Sequence, residues 1–133
     1  MQYLGIDYGS KRVGLAIGDD DTKLSIPIDA LLLSSVDEFI PKIKNFLTTN
    51  QIDRIVLGLP RGLDGQDTRQ TQEVMIICDK LKKELLIPIT LQDEAMTSEI
   101  AKERLSLSKK IVKQGEVDSE AASIILQDYL NSL

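Results

Sequence analysis

Carboxylates stand at three places in this sequence where acidic side chains could do chemistry together. Asp7 ends a short apolar run, Asp93 and Glu94 end another, and Asp118 begins the last helical segment. The carboxyl ends of parallel strands form the usual binding edge of an α/β sheet, so Asp7 and Glu94 could converge there, with Asp118 approaching from a helix N-terminus. Clustered anions repel one another unless a multivalent cation neutralises them. The pattern therefore indicates a metal site of the kind used in two-metal phosphodiester hydrolysis.

Each of these carboxylates also has a structural explanation. Asp118 is a good N-cap residue for a helix, which alone would account for it. Glu94 could be a solvated turn residue, and Asp7 could pair with Lys11 or Arg12. The spacing by itself leaves both interpretations open.

Histidine is absent from the sequence, and Cys78 is its single cysteine. The absence of histidine excludes the Ser-His-Asp and Cys-His nucleophile systems and His-ligated zinc. One cysteine cannot form an internal disulfide or a cysteine-cluster metal site. Catalysis would have to use carboxylates, Lys, Tyr, hydroxyls or a hard metal, and carboxylate oxygens suit Mg²⁺ or Mn²⁺. We therefore expect Mg²⁺ or Mn²⁺ as the cofactor.

The composition is that of an ordinary globular protein, with 133 residues of which 42% are hydrophobic and 28% charged. We expect a single domain spanning residues 1–133. No apolar run approaches the roughly 20 residues of a membrane span, and no signal-peptide pattern opens the sequence, so we expect a cytoplasmic location without membrane contact. The net charge of −5 argues against a nucleic-acid partner. It is a weak guide, however, when acidic residues gather at a metal site and basic residues lie elsewhere.

Hydrophobic periodicity predicts the element order βββαβαβαα, which is typical of a mixed sheet with helices on its faces. Pro27 confines the third strand to an edge or a bulge, and Ser35 and Glu38 form a capping box before the first helix. Residues 58–65 form a glycine-rich loop after the fourth strand. The predicted strands are 2–8, 12–18, 23–32, 52–59 and 87–92, and the predicted helices are 35–49, about 67–85, about 97–107 and 118 onward.

Segments 5–16, 58–60, 64–65, 93–94 and 117–122 together resemble the YqgF family of pre-16S rRNA nucleases, which are similar to RuvC-type Holliday junction resolvases. The resemblance implies a ribonuclease-H-like α/β fold with a five-stranded mixed sheet whose first three strands are antiparallel. It also implies a divalent-metal-dependent nuclease that matures the 5′ end of 16S rRNA and leaves a 5′-phosphate and a 3′-hydroxyl. Carried over by motif, Asp7, Glu94 and Asp118 would be the catalytic, metal-binding carboxylates. If the strand register is shifted by one residue, Asp93 would be the metal-binding carboxylate in place of Glu94.

Basic residues lie near each of these motifs, where they could contact nucleic-acid phosphates. One pair lies in the turn after Asp7, another flanks the glycine-rich loop, and a third group lies on the basic connection, residues 107–117, that leads to Asp118. A precursor rRNA is the favoured partner and branched DNA an alternative, while the chain could be a monomer or a homodimer. The predicted nucleic-acid-binding residues are Lys11, Arg12, Arg61, Arg69, Lys109, Lys110 and Lys113.

Two positions depart from the family pattern. Many members have Arg where this chain has Ala95, and many have Asn where it has Gly62. Neither departure removes a predicted metal ligand, although either could weaken or redirect activity. A Holliday junction resolvase-like DNase and a non-catalytic nucleic-acid-binding or ribosome assembly factor therefore remain alternatives. A sugar-kinase-type phosphotransferase is disfavoured, because that architecture closes two domains around its nucleotide.

Overall fold

The computed structural model describes residues 1–94 and 114–133. Over these residues the chain forms five strands and three α-helices, and the predicted helix near 97–107 lies outside them. No helix in this part of the chain combines the length and apolar character needed to cross a membrane. The strands are β1 (Gln2–Asp7), β2 (Arg12–Asp19), β3 (Ser25–Leu32), β4 (Arg54–Pro60) and β5 (Ile89–Glu94), and the helices are α1 (Phe39–Thr49), α2 (Arg69–Glu84) and α3 (Gln114–Asn131).

The five strands form one mixed sheet in the order β3-β2-β1-β4-β5. The β1–β2 and β2–β3 pairs are antiparallel, whereas β4 lies parallel to both β1 and β5. This confirms the predicted mixed sheet and the antiparallel first three strands. Pro27 lies on the edge strand β3, where its missing N–H costs no ladder hydrogen bond. β1, β4 and β5 therefore share one carboxyl edge.

Alternate side chains of the strands pack against helices on opposite faces of the sheet. One face meets α1 and α2 in a core that includes Leu4, Ile6, Val13, Leu15, Ile55, Leu57, Phe39, Ile43, Val74 and Leu81. The other face meets α3 in a smaller core made of Tyr3, Ala16, Val56, Ala122, Ile125, Leu126 and Leu130. Cys78 is 2% exposed and belongs to the first core, as its place on the apolar stripe predicts.

Two predicted helix starts are wrong. A 3₁₀ turn (Val36–Glu38) precedes α1, so the Ser35 hydroxyl accepts from the Asp37 N–H and the Glu38 carboxylate accepts from the Ser34 N–H, without the reciprocal capping box. α3 begins at Gln114 rather than at Asp118. Gly115 gave residues 114–117 the character of a loop in the sequence, but the helix includes them. Asp118 therefore lies inside the helix and is not its N-cap.

Glycines on the strands let α3 approach the sheet closely. A Cβ atom at Gly5 would lie 2.8 Å from the Cβ of Leu126 and 3.0 Å from the carbonyl oxygen of Ala122. A Cβ atom at Gly14 would overlap the carbonyl oxygen of Asp118. The missing side chain at Gly14 therefore sets how near the backbone of Asp118 comes to β2.

We expect Gly14→Ala to destabilise the protein by about 1–3 kcal/mol, the usual cost of an overpacked core, because the helix backbone at Asp118 must move away from β2. Gly62→Ala is the matched control, since a Cβ atom there would meet the end of the flexible, exposed Gln66 side chain. Urea unfolding of both variants measures the difference. Equal midpoints for Gly14→Ala and the wild type would contradict the close approach.

Candidate metal and nuclease site

Asp7 and Glu94 end two strands that lie on either side of β4. Alternation along β1 places Asp7 on the α3 side of the sheet, with Tyr3 and Gly5. Glu94 is opposite Pro60 of β4. Two strand spacings, about 9.5 Å, separate β1 from β5, so one side chain must lean across β4 for the carboxylates to approach each other.

Gly58 makes that approach possible. A Cβ atom at Gly58 would overlap Oε2 of Glu94 and lie 2.5 Å from Cδ1 of Ile125. The Glu94 carboxylate therefore lies over β4, in the space that a side chain at Gly58 would fill, with α3 covering it. A glycine within an otherwise apolar strand is the signal in the sequence for such an approach, but its role here was not predicted.

Asp7 and Glu94 have no positive partner among the described residues. Burial, and then the charges of Glu94 and Asp118, raise the pKa of Asp7 to about 8. Burial raises the pKa of Glu94 to about 7, and its Oε2 is buried without a hydrogen-bond partner. A buried acidic oxygen without a partner is costly unless a proton or a cation neutralises it.

Asp118 reaches the same region from α3. Its charge contributes to the raised pKa of Asp7, so the structure brings the three predicted carboxylates into one electrostatic neighbourhood. The Nε of Arg12 donates to Oδ2 of Asp118 at 3.1 Å. Arg12 therefore pairs with Asp118. The predicted alternative, an ion pair between Arg12 and Asp7, is wrong.

The donor set fits a divalent cation in its chemistry but is not gathered around one point. In the described ranges, no three acidic or sulfur- or imidazole-bearing side chains stand in metal-binding geometry. Asp7 and Glu94 nevertheless supply oxygen ligands of the type that Mg²⁺ and Mn²⁺ prefer. The unpartnered Oε2 of Glu94 is the atom that a cation would satisfy.

Asp93 has a different environment from its neighbour Glu94. Its side chain, 69% exposed, accepts from Nη2 of Arg61 at 3.3 Å, and Arg61 also pairs with Asp67. Arg61 thus ties the glycine-rich loop to the end of β5. The register places Glu94, rather than Asp93, beside Asp7.

The predicted nucleic-acid-binding residues other than Arg61 fall into two groups. Lys11 and Arg12 are exposed in the turn between β1 and β2, and Arg69 is exposed at the start of α2, 3.6 Å from Glu73. Lys109, Lys110 and Lys113 lie outside the described residues. Arg61 is half-buried in its two ion pairs, so it is a less accessible phosphate contact than the sequence predicted.

Known structures share this fold at low sequence identity. The Thermus thermophilus RuvC structure in complex with a Holliday junction substrate matches 99% of this chain and 95% of its own, with a TM-score of 0.58 at 12% identity. A Fowlpox virus resolvase in complex with Holliday junction DNA matches 99% of this chain and 98% of its own, with a TM-score of 0.60 at 15% identity. The predicted ribonuclease-H-like fold is confirmed.

Related sequences are similar over almost their full lengths. A protein of Orientia tsutsugamushi named "Putative pre-16S rRNA nuclease" is 39% identical over 99% of this chain and 85% of its own. A protein of the same name from Clostridium acetobutylicum is 34% identical over the whole of both chains. The family model described as "RuvX: Holliday junction resolvase" matches residues 1–132. The chain therefore belongs to the RuvX family, the same group as the YqgF proteins that its motifs resemble.

Proposed function

We propose that this protein is a divalent-metal-dependent nuclease that hydrolyses phosphodiester bonds and matures the 5′ end of precursor 16S rRNA in the cytoplasm. The observation that carries the proposal is the pair of half-buried carboxylates, Asp7 and Glu94, at the carboxyl edge of the sheet without a positive partner among the described residues. The rRNA substrate is supported by the names of the full-length relatives.

Each residue of the site has a defined task in this proposal. Asp7, Glu94 and Asp118 would hold the cation, which would supply an activated water and stabilise charge on the phosphate. Gly58 leaves the space that Glu94 needs to cross β4, and Gly14 seats the backbone of Asp118 against β2. Arg12 bonds to Asp118 and is exposed on its outer side, where it can bind a substrate phosphate.

A Holliday junction resolvase-like DNase is the second candidate function. The description of the family and the two junction-bound structural neighbours favour it. The same carboxylates would serve either substrate, because phosphodiester hydrolysis does not depend on the 2′-hydroxyl. A non-catalytic assembly factor would bind the same nucleic acid without cleaving it.

The deciding experiment incubates the protein with a 16S rRNA precursor carrying extra 5′ sequence, or with a four-way DNA junction, in Mg²⁺, in Mn²⁺ or in a chelator. We expect metal-dependent cleavage of the RNA with 5′-phosphate ends. Preferred cleavage of the junction would support the resolvase function instead. Tight RNA binding without cleavage in any metal would refute a nuclease and support the assembly factor.

Arg12 allows a test of phosphate binding that is independent of cleavage. We expect Arg12→Gln, in an Asp7→Asn background that leaves the substrate intact, to weaken RNA binding similarly for all sequences and to reduce the salt slope of the affinity by about 1. Fluorescence anisotropy at several salt concentrations measures both. Lys83→Gln removes the same charge from the end of α2 and serves as the control. An equal loss of RNA affinity in that variant would show that Arg12 does not contact the substrate phosphate specifically.

A further inference from the structure

A cavity of about 300 Å³ opens beside the turn that follows Asp7. One wall is the start of the β1–β2 turn and the other is the first part of α2. The residues that line it are Tyr8, Gly9, Ser10, Arg69, Gln70 and Glu73. None of them belongs to the proposed metal site, and of this group Arg69 alone is among the predicted nucleic-acid-binding residues.

The polar groups of the cavity include both donors and acceptors. The Arg69 guanidinium and the Glu73 carboxylate lie 3.6 Å apart, one helical turn from each other, with their side chains 95% and 52% exposed. Gln70 adds an amide and Ser10 a hydroxyl. A site for phosphate alone would not carry the carboxylate of Glu73, because that charge repels an anion. The mixture is suited to a polar, uncharged group with donors and acceptors on one edge.

Tyr8 lines the inner end of the cavity but contributes little exposed surface. Its ring is 7% exposed and packs edge-on against Phe39, with the ring centroids 4.9 Å apart. The polar side chains that line the cavity are of the kind that hydrogen-bond the Watson–Crick edge of an unpaired nucleobase in RNA recognition.

The cavity is also close to the proposed chemistry. Ser10 follows Asp7 by three residues, at most about 11 Å of extended chain. The cavity lies on the α2 side of the sheet and Asp7 on the α3 side. A strand whose phosphate lies at Asp7 and Glu94 would therefore cross the edge of the sheet at the backbone of Gly9 to bring a neighbouring nucleotide to this cavity. The tight turn there has no room for a side chain, since a Cβ atom at Gly9 would lie 2.5 Å from the carbonyl oxygen of Arg12.

We propose that this cavity binds an unpaired guanine base of the substrate, next to the scissile phosphate. Glu73 accepts from N1–H and the N2 amino group of guanine, and Arg69 donates to O6. Adenine presents an unprotonated N1 to the carboxylate, and the pyrimidines lack a paired donor edge of this kind. That the guanine belongs to a cleaved nucleic acid rests on the proposed nuclease function. The binding of guanine to the cavity does not.

The first test measures binding without any cleavage. Guanosine 5′-monophosphate is titrated into the full-length, metal-free protein and followed by NMR, with adenosine 5′-monophosphate as the comparison. We expect shifts centred on Ser10 and Gln70 and a guanosine preference of about tenfold, within the range that a bidentate base contact gives. Equal shifts for both nucleotides, or shifts elsewhere, would overturn the proposal. This result does not depend on whether the protein is a nuclease.

The second test measures base preference in cleavage. Precursor RNAs carrying guanine, inosine or adenine at each position flanking the cleaved bond are compared by kcat/KM. We expect the wild type to prefer guanine at one position, and Glu73→Gln and Arg69→Gln to lose that preference. The controls Asp79→Asn and Lys80→Gln, which remove the same charges from exposed positions on α2, should keep it. A preference unchanged in Glu73→Gln would refute the site, whereas absence of all cleavage together with guanosine binding would refute only the nuclease.

Discussion

Asp7→Asn is expected to abolish cleavage and, in the absence of metal, to make the protein more stable. Losing a ligand of the cation removes several kcal/mol of charge stabilisation in the transition state, which corresponds to a loss of roughly 10³-fold or more in kcat. The metal-free fold, by contrast, loses a half-buried carboxylate that has no positive partner among the described residues. Activity and stability should therefore change in opposite directions.

The pH dependence of stability follows from the raised pKa of Asp7. Its pKa moves from 3.8 in the unfolded chain to about 8 in the fold, so the folded state binds the proton more tightly. The contribution of this proton to the free energy of unfolding is present in full below pH 4 and is lost as the pH rises to about 8. Glu94, raised to about 7, acts in the same direction. We expect metal-free Asp7→Asn to melt at least about 4 °C above the wild type at pH 8, as ~1 kcal/mol would give, with a smaller difference at pH 5.

Differential scanning calorimetry with and without Mg²⁺ or Mn²⁺ measures this prediction. The metal should stabilise the wild type by mass action and leave Asp7→Asn nearly unchanged. Asp29→Asn, which removes an exposed carboxylate from the edge strand β3, is the control and should show neither effect. A metal-free Asp7→Asn protein less stable than the wild type at pH 8 would show that the carboxylate is neutralised in some other way.

The neighbouring carboxylates Glu94 and Asp93 should respond very differently to the same change. We expect Glu94→Gln to reduce kcat by roughly 10³-fold through the loss of a cation ligand, and Asp93→Asn to retain activity within about tenfold. The second effect is small because Asp93 contacts the site only through Arg61 and is 69% exposed, which places it at the lower end of the roughly 10–100-fold that the loss of an orienting partner typically costs. Single-turnover cleavage and calorimetric metal titration measure both variants.

Glu94→Asp tests the reach of the side chain. It keeps the charge but shortens the side chain that crosses β4 over Gly58, so we expect it to be nearly as inactive as Glu94→Gln. If Asp93→Asn were the inactive variant and Glu94→Gln the active one, the register of β5 and the proposed ligand set would both be wrong.

Sequence reasoning worked best where one local rule decided the outcome. The short apolar runs of β1 and β2 and the continuous apolar run of β4 predicted strands within two residues of those observed. It worked less well at helix starts, because cap residues and glycines fit more than one local geometry. Asp118 was open to interpretation as a cap for that reason, and the earlier start of α3 removed this explanation.

The choice between Asp93 and Glu94 shows the limit of the sequence most clearly. Adjacent residues in a strand point to opposite faces, and a shift of one residue exchanges them. No local pattern distinguishes the two carboxylates. The parallel pairing of β5 with β4 does so, together with the space above Gly58 and the cover provided by α3.

The sequence by itself determined the class of chemistry and the family. The absence of histidine left carboxylates, Lys, Tyr, hydroxyls or a hard metal for catalysis, and the spaced motifs identified a nuclease-like fold. Only the tertiary structure decided which carboxylates lack a positive partner within the described ranges, that Arg12 pairs with Asp118, and that a mixed polar cavity opens beside Asp7. The reason is physical: the types of the residues set what a site can bind, whereas burial and long-range packing set which charges face one another.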